Sequence, residues 1–334
     1  MASSAQFLED LGIELTTPES LRHPPLRSPH AAFDDFLPEA QARELRGHVD
    51  RHFADPQAHR RETHQVWNYW YIPGLYTYLR TNPEQVIPKP LADAFHSALT
   101  RWAAERLGLA YVTWPFLSVY VDGCSQGLHN DSVGGRFGYV YSLTLPERRS
   151  RGGETIVLKE GDLFRGRMTD AEAGSGLYDL IEPRFNRLAI FDDRMPHGVQ
   201  RIEGSMDPLD GRIVMHGHIS EAGMLVEGPL APGAVEAALL PRIGDVLGRV
   251  GLVDALYHGP LVLRLSVDPS GRVAHHAVLV DRVARSDGGC PADLVRALID
   301  CVVGAALPAA GAASLVTLPL MVGGPLPWMV AKAQ

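Results

Sequence analysis

Two histidines and an aspartate stand at a spacing that suits a cation. His129 and Asp131 are separated by one residue, so on an extended segment both side chains leave the chain on the same side. One strand end can therefore supply two donors. The third must come from a distant stretch brought alongside by folding, and His197, in RLAIFDDRMPHGV directly after an apolar run, offers it. Two imidazoles and one carboxylate on one face of an octahedral ion leave positions open for a bidentate cosubstrate and O2, an arrangement that suits Fe(II). His-x-Asp alone arises by chance in many sequences, so its surroundings have to carry the reading.

Those surroundings are suggestive. Gly123 and Gly127 flank the approach to His129, and Gly134 and Gly135 follow Asp131, as in a loop whose backbone passes close to a small ligand. Downstream, Arg212 opens the run GRIVMHGHI. The far carboxylate of a dicarboxylic cosubstrate needs a buried cation with fork geometry, which arginine provides through two parallel charge-assisted hydrogen bonds. The competing partner for Arg212 is a carboxylate of the chain itself, Asp192, Asp193 or Asp210. On a strand, Val214, His216 and His218 share the face of Arg212; either histidine is a substrate contact or a satisfied core residue. The segment VWNYWYIPGLYTYL, 66–79, is dense in aromatics, which either line a cleft or form core beneath a loop. Arg184, Arg187 and Arg194 read as an acidic-substrate cluster or as solvated surface charge.

The elements that must position these residues are legible as texture. Pro18, Pro24, Pro25 and Pro29 mark residues 1–32 as an arm laid on the surface. Pro38 then opens a helix with Ala42, Leu45, Val49 and Phe53 on one stripe, and a second carries Leu91, Phe95, Leu99 and Trp102 before Gly108 closes it. From 111 to 219 the chain turns to short runs rich in Val, Ile, Tyr, Phe and Thr: 111–121, 136–145, 155–158, 187–191, 199–203 and 212–219. Helices precede these strands instead of alternating with them, so the reading is an all-β core with supporting helices, an antiparallel sandwich or barrel. After EGPLAPGA, residues 221–334 read as a small α+β domain: a helix over 233–249 interrupted by Pro241, a hairpin around Pro269-Ser270-Gly271, a helix with Leu294 and Leu298, and a last strand in SLVTLPLMV. His275 and His276 are adjacent and so face opposite sides of a strand, unable to chelate together.

Composition narrows the function classes. A net charge of −8 with no basic stripe argues against tracking nucleic-acid phosphates. Three cysteines, Cys124, Cys290 and Cys301, without CxxC spacing argue against a disulfide framework or thiolate zinc. No secretory or membrane-spanning segment is read in the opening MASSAQFLEDLGIEL, and a cytoplasmic protein is the expectation.

Tyr120-x-x-Gly123 leading to His129-x-Asp131, then GYVYSLTL, then Gly152-Gly153-Glu154-Thr155, then NRLAIFDDRMPHGV, together resemble the prolyl 4-hydroxylase-type 2-oxoglutarate oxygenases. The likeness spans residues 33–220, since FDDFLPEAQARELRGHV is similar to that family's helical opening. It implies a double-stranded β-helix, or jelly roll, holding Fe(II) on His129, Asp131 and His197. It also implies 2-oxoglutarate on Arg212 with Tyr120 as hydroxyl partner and Thr155 near the same pocket, O2 as oxidant, and succinate and CO2 as co-products. Many members carry Lys at the position of Arg212 and a Tyr-Leu-Asn strand where this chain reads Tyr141-Ser142-Leu143-Thr144. Related halogenases replace the carboxylate ligand by a small residue, so Asp131 points to hydroxylation or another oxidative outcome. The implied substrate is an amino-acid side chain, free or in a peptide, with proline first. A small-molecule tailoring oxygenase and a non-catalytic cupin-like metal sensor are the alternatives. The C-terminal part resembles TonB C-terminal domains, which suggests peptide binding by strand addition or dimerisation.

Overall fold

The computed structural model describes residues 21, 23–54, 66–131, 136–159, 177–250 and 256–323. Gly134, Gly135 and most of the expected N-terminal arm lie outside these. Helix α1 (Glu39–Ala54) starts directly after Pro38 and buries Ala42, Leu45 and Val49. Helix α2 (Lys89–Arg106) buries Phe95, Leu99 and Ala103, with Trp102 edge-on to Phe33. Their apolar stripes pack on the outside of a sheet.

That sheet comprises β1 (His30–Phe33), β2 (Asn68–Ile72), β3 (Tyr76–Thr81), β4 (Tyr111–Val112), β5 (Phe116–Tyr120), β6 (Ser125–His129), β7 (Phe137–Ser142), β8 (Thr155–Leu158), β9 (Tyr178–Ile181), β10 (Leu188–Asp192), β11 (His197–Val199) and β12 (Arg212–Ser220). Its strand order is β1-β10-β7-β12-β5-β3-β6-β11-β8-β9, with β2 on β3 and β4 on β12. The sheet folds over on itself as a jelly roll, so that β7, β12 and β5 face β6, β11 and β8 across one cavity. Alternation along each strand sends one set of side chains into that cavity and the other into the core beneath the helices.

Several boundaries differ from those expected. The run 111–121 is two strands, because Pro115 has no N–H to continue the ladder. The strand expected at 199–203 instead begins at His197. The aromatic segment 66–79 is the hairpin of β2 and β3, and residues 30–33, placed mostly in the arm, pair with β10.

Five further strands make a second sheet: β13 (Leu225–Glu227), β14 (Tyr257–Val267), β15 (Val273–Asp281), β16 (Ala284–Arg285) and β17 (Ser314–Val322), ordered β13-β17-β14-β15 with β16 on β14. Helices α3 (Pro232–Val250) and α4 (Ala292–Val303) accompany it. Pro241 does not interrupt α3 as expected: it is exposed, where water can satisfy the carbonyl that loses its donor.

The two sheets meet without a gap. Buried Arg264 on β14 donates to the carbonyls of Ala104 and Glu105 at 2.6 and 2.8 Å, capping the C-terminal end of α2, where the helix dipole favours a cation. Asp192, at the end of β10, accepts from Arg194 and, at 3.1 Å, from Arg282. Its burial raises the carboxyl pKa, but the two guanidiniums overcome that and hold it at about 2. Gly108, at φ +67, lets the turn after α2 touch the second sheet: a Cβ there would lie 2.7 Å from both Thr317 and Val262. Gly108→Ala is therefore expected to lower the unfolding free energy by about 1–3 kcal/mol, read as a lower urea midpoint. Because the folded pKa of Asp192 is depressed, its contribution is present at neutral pH and lost as pH falls from about 4 through about 2. The acid limb of a stability–pH curve should flatten in Asp192→Asn.

Candidate metal centre and cavity

The antiparallel ladder of β6 and β11 puts His197 opposite His129. Gly198 permits this approach, since a Cβ there would stand 2.6 Å from the Gln126 carbonyl. The two rings lie 4.5 Å apart between centroids. Asp131 follows β6, its backbone N–H donating to the Asp193 carbonyl at 3.0 Å, and its Oδ2 sits 3.6 Å from His129 Nε2 and 3.5 Å from His197 Nε2. Such separations are long for hydrogen bonds and lie within twice a metal–ligand distance of about 2.1 Å, so Asp131 can share an ion with either histidine. One ligand atom from each residue lies within 4.8 Å of the others.

The imidazoles are held in one tautomer. His129 Nδ1 donates to the Gly127 carbonyl at 2.8 Å, and His197 Nδ1 donates to the Met195 carbonyl at 3.0 Å. Each Nε2 thereby faces the shared point, and that of His129 also lies 3.2 Å from Gln126 Nε2. Burial works to raise the Asp131 carboxyl pKa, but the two imidazoles outweigh it and hold the group well below the usual carboxylate range. The trio offers one carboxylate oxygen and two imidazole nitrogens to a single point, a donor set that fits a divalent transition metal.

The same cavity, about 210 Å³, contains the other sequence-predicted residues. Arg212 is 1% exposed and pairs across the ladder with Tyr120. Its Nη2 donates to Thr155 Oγ1 at 3.1 Å, its guanidinium carbon lies 4.8 Å from the Tyr120 ring centroid, and its Nε has no partner. None of the competing carboxylates takes it: Asp192 binds Arg194 and Arg282, Asp193 binds His218, and Asp210 binds Arg149. A buried guanidinium with an orphaned donor is costly unless an anion completes it. Tyr120 itself donates to Gln126 Oε1 at 3.3 Å.

No family model matches the sequence, and no curated protein matches it. Among solved structures the chain is similar to a prolyl-4-hydroxylase of Pseudomonas putida, at 16% identity and TM-score 0.41 over 65% of this chain and 98% of that one. It is similar to a Trichoplax adhaerens prolyl hydroxylase in complex with a hypoxia-inducible-factor peptide fragment, at 15% identity and TM-score 0.40 over 57% and 82%. A third similarity, at 12% identity and TM-score 0.43 over 59% and 79%, is to a non-haem alpha-ketoglutarate-dependent epimerase of nogalamycin biosynthesis.

Other sequence-stated candidates separate. Arg184 and Arg187 are surface ion pairs with Glu182 and Asp34, whereas Arg194 is buried between Asp192 and His258 and belongs to the junction of the two sheets. All three cysteines are free thiols. His216 and His218 both line the cavity; His216 Nε2 lies 2.8 Å from Ser118 Oγ, and His218 Nδ1 lies 2.9 Å from the fully buried Asp193.

Tyr76 and Tyr78, from the aromatic run 66–79, line the same space, as one of its two readings had it; Arg80 and Gln126, which the sequence reading did not single out, line it too. The signal for Arg80 was its place two residues after Tyr78 in YTYLR, a period-two alternation obscured by the neighbouring aromatics. Tyr76 lies edge-on to His129 at 5.2 Å, and burial, with smaller contributions from Asp131 and Tyr78, pushes its hydroxyl pKa up to about 12. Burial, aided by Arg80 and Arg212, pushes the His216 imidazole down to about 3. His216 should therefore remain neutral from pH 8 to pH 4 in an NMR titration, with the resonance assigned by its loss in His216→Asn; protonation near pH 6 would contradict this electrostatic picture.

Proposed function

We propose that this chain is an Fe(II)- and 2-oxoglutarate-dependent oxygenase whose catalytic unit is residues 33–220. The observation that carries the reading is a trio of two imidazoles and a carboxylate in one cavity with buried Arg212, whose Nε has no partner among the described residues. His129 Nε2, His197 Nε2 and an Asp131 oxygen would hold the metal. Arg212 would receive the distal carboxylate of 2-oxoglutarate through its unpartnered edge, with Thr155 and Tyr120 orienting the guanidinium. Once bound, iron and cosubstrate supply the oxidising chemistry: O2 is consumed, 2-oxoglutarate becomes succinate and CO2, and one oxygen atom enters a C–H bond of the substrate. The protein's own part is geometric. The Nδ1 bonds to Gly127 and Met195 fix the imidazoles, and Asp131 stays ionised as the anionic ligand. Its presence favours hydroxylation, with an amino-acid side chain as substrate and proline the first to be tried.

Wild-type protein with Fe(II), 2-oxoglutarate and O2 is expected to release succinate, and a substrate screen should reveal a one-oxygen mass gain. His129→Ala and Asp131→Ala should abolish succinate release and weaken Fe(II) binding under argon by more than the roughly 10–100-fold typical of losing a residue that only supports a ligand. Arg212→Met should raise the Kd for 2-oxoglutarate about 10–100-fold, the worth of a charged hydrogen bond, while Fe(II) binding persists. Full turnover in the Asp131 variant would remove the assignment.

A further inference from the structure

The cavity carries a second guanidinium that the oxygenase reading does not use. Tyr76, Tyr78 and Arg80 alternate onto the inner face of β3. β2 pairs with one side of this strand and β5 with the other. Each contributes an aromatic ring to Arg80: its guanidinium carbon lies 3.7 Å from the centroid of Trp70 and 4.1 Å from that of Phe116. Both rings are 38% exposed, which puts this end of the cavity at its mouth. Ring contacts occupy the faces of a guanidinium and leave its N–H donors in the plane; the Tyr78 hydroxyl meets Arg80 there, and a carboxylate can engage the remaining donors two at once. Among the described residues no carboxylate pairs with Arg80, and Asp131 is the one acid lining the cavity.

Charge counting sharpens the point. With a divalent ion and a dicarboxylate bound, the formal charges of ion, cosubstrate, Asp131 and Arg212 cancel, and Arg80 is the surplus. His216, with Ser118 as its neighbour, contributes no charge at neutral pH. A partly desolvated cation of this kind favours one further anion in the cavity.

We propose that Arg80 binds the carboxylate of the substrate, so that the enzyme acts on a small carboxylic acid such as a free amino acid and not on an internal residue of a polypeptide. The proposal rests on the oxygenase reading of the same cavity. Trp70 and Phe116 hold the guanidinium plane while its fork reads the anion. A second wall of apolar and aromatic surface, Val140 and Val214 with Tyr78, is left to meet the rest of the molecule.

The test is isothermal calorimetry under argon with protein, Fe(II) and 2-oxoglutarate, titrating a panel of twenty L-amino acids and the corresponding L-amino acid amides. Binding of 2-oxoglutarate to the wild-type protein is measured first; its absence would overturn the oxygenase reading. Given that binding, at least one free amino acid is expected to bind about 10–100-fold more tightly than its amide, the range of one or two charged hydrogen bonds. Arg80→Gln should erase this preference and Arg80→Lys should retain part of it, with unchanged melting temperatures establishing that both variants fold. Bound 2-oxoglutarate with no amino acid bound, equal affinity for acid and amide, or a preference that survives in Arg80→Gln overturns the Arg80 proposal alone.

Discussion

The pairing of His197 against His129 in the β6–β11 ladder is the constraint on which the site depends. A one-residue slip of β11 would turn His197 out of the cavity and away from His129, because side chains on a strand alternate faces. Gly198 is what allows that register, since any side chain there would collide with the Gln126 carbonyl. Asp131 is then held by its own N–H bonded to Asp193, the residue that begins the loop into β11. The three side chains are thus brought together by backbone hydrogen bonds between β6, β11 and the loop before β11.

Around that trio the cavity is organised by charge. Among the described residues, two guanidiniums, Arg212 at its depth and Arg80 at its mouth, lie in a space lined by one carboxylate, that of Asp131. Arg212 is buried and its Nε has no partner among the described residues, a donor whose desolvation is costly. The histidines beside it remain chemically quiet for separate reasons. His216 is kept neutral by burial and by the neighbouring cations, and His218 is tied to Asp193. The polar inner surface is tolerated because nearly every group is hydrogen-bonded or aimed at a ligand position.

The second sheet is integral to this arrangement. Arg282 from its loop and Arg194 from the segment before His197 share Asp192. The backbone that presents His197 is thereby fixed from behind by residues far along the chain. Arg264 ties the same sheet to the end of α2, and Leu26 bridges the edge strand β15 at Val280. Part of the edge that would be open to strand addition is therefore occupied by the chain's own N-terminal segment.

The sequence by itself determined the donors and the kind of surface that would carry them. His-x-Asp on an extended segment, a histidine after an apolar run, and an arginine opening a strand are local patterns, and local alternation decides which side chains share a face. The supporting helices were equally legible, because a 3.6-residue apolar stripe survives any tertiary context. Tertiary structure alone decided which strands are neighbours. SQGLH has little strand propensity and becomes β6 through its partners β3 and β11. The aromatic hairpin became a cavity wall for the same reason, and with it Arg80 became a candidate anion site. Arg194, which reads as surface charge, is buried because a second sheet covers it. Periodicity reports the face a residue occupies; what lies across from that face is settled only when distant segments pack together.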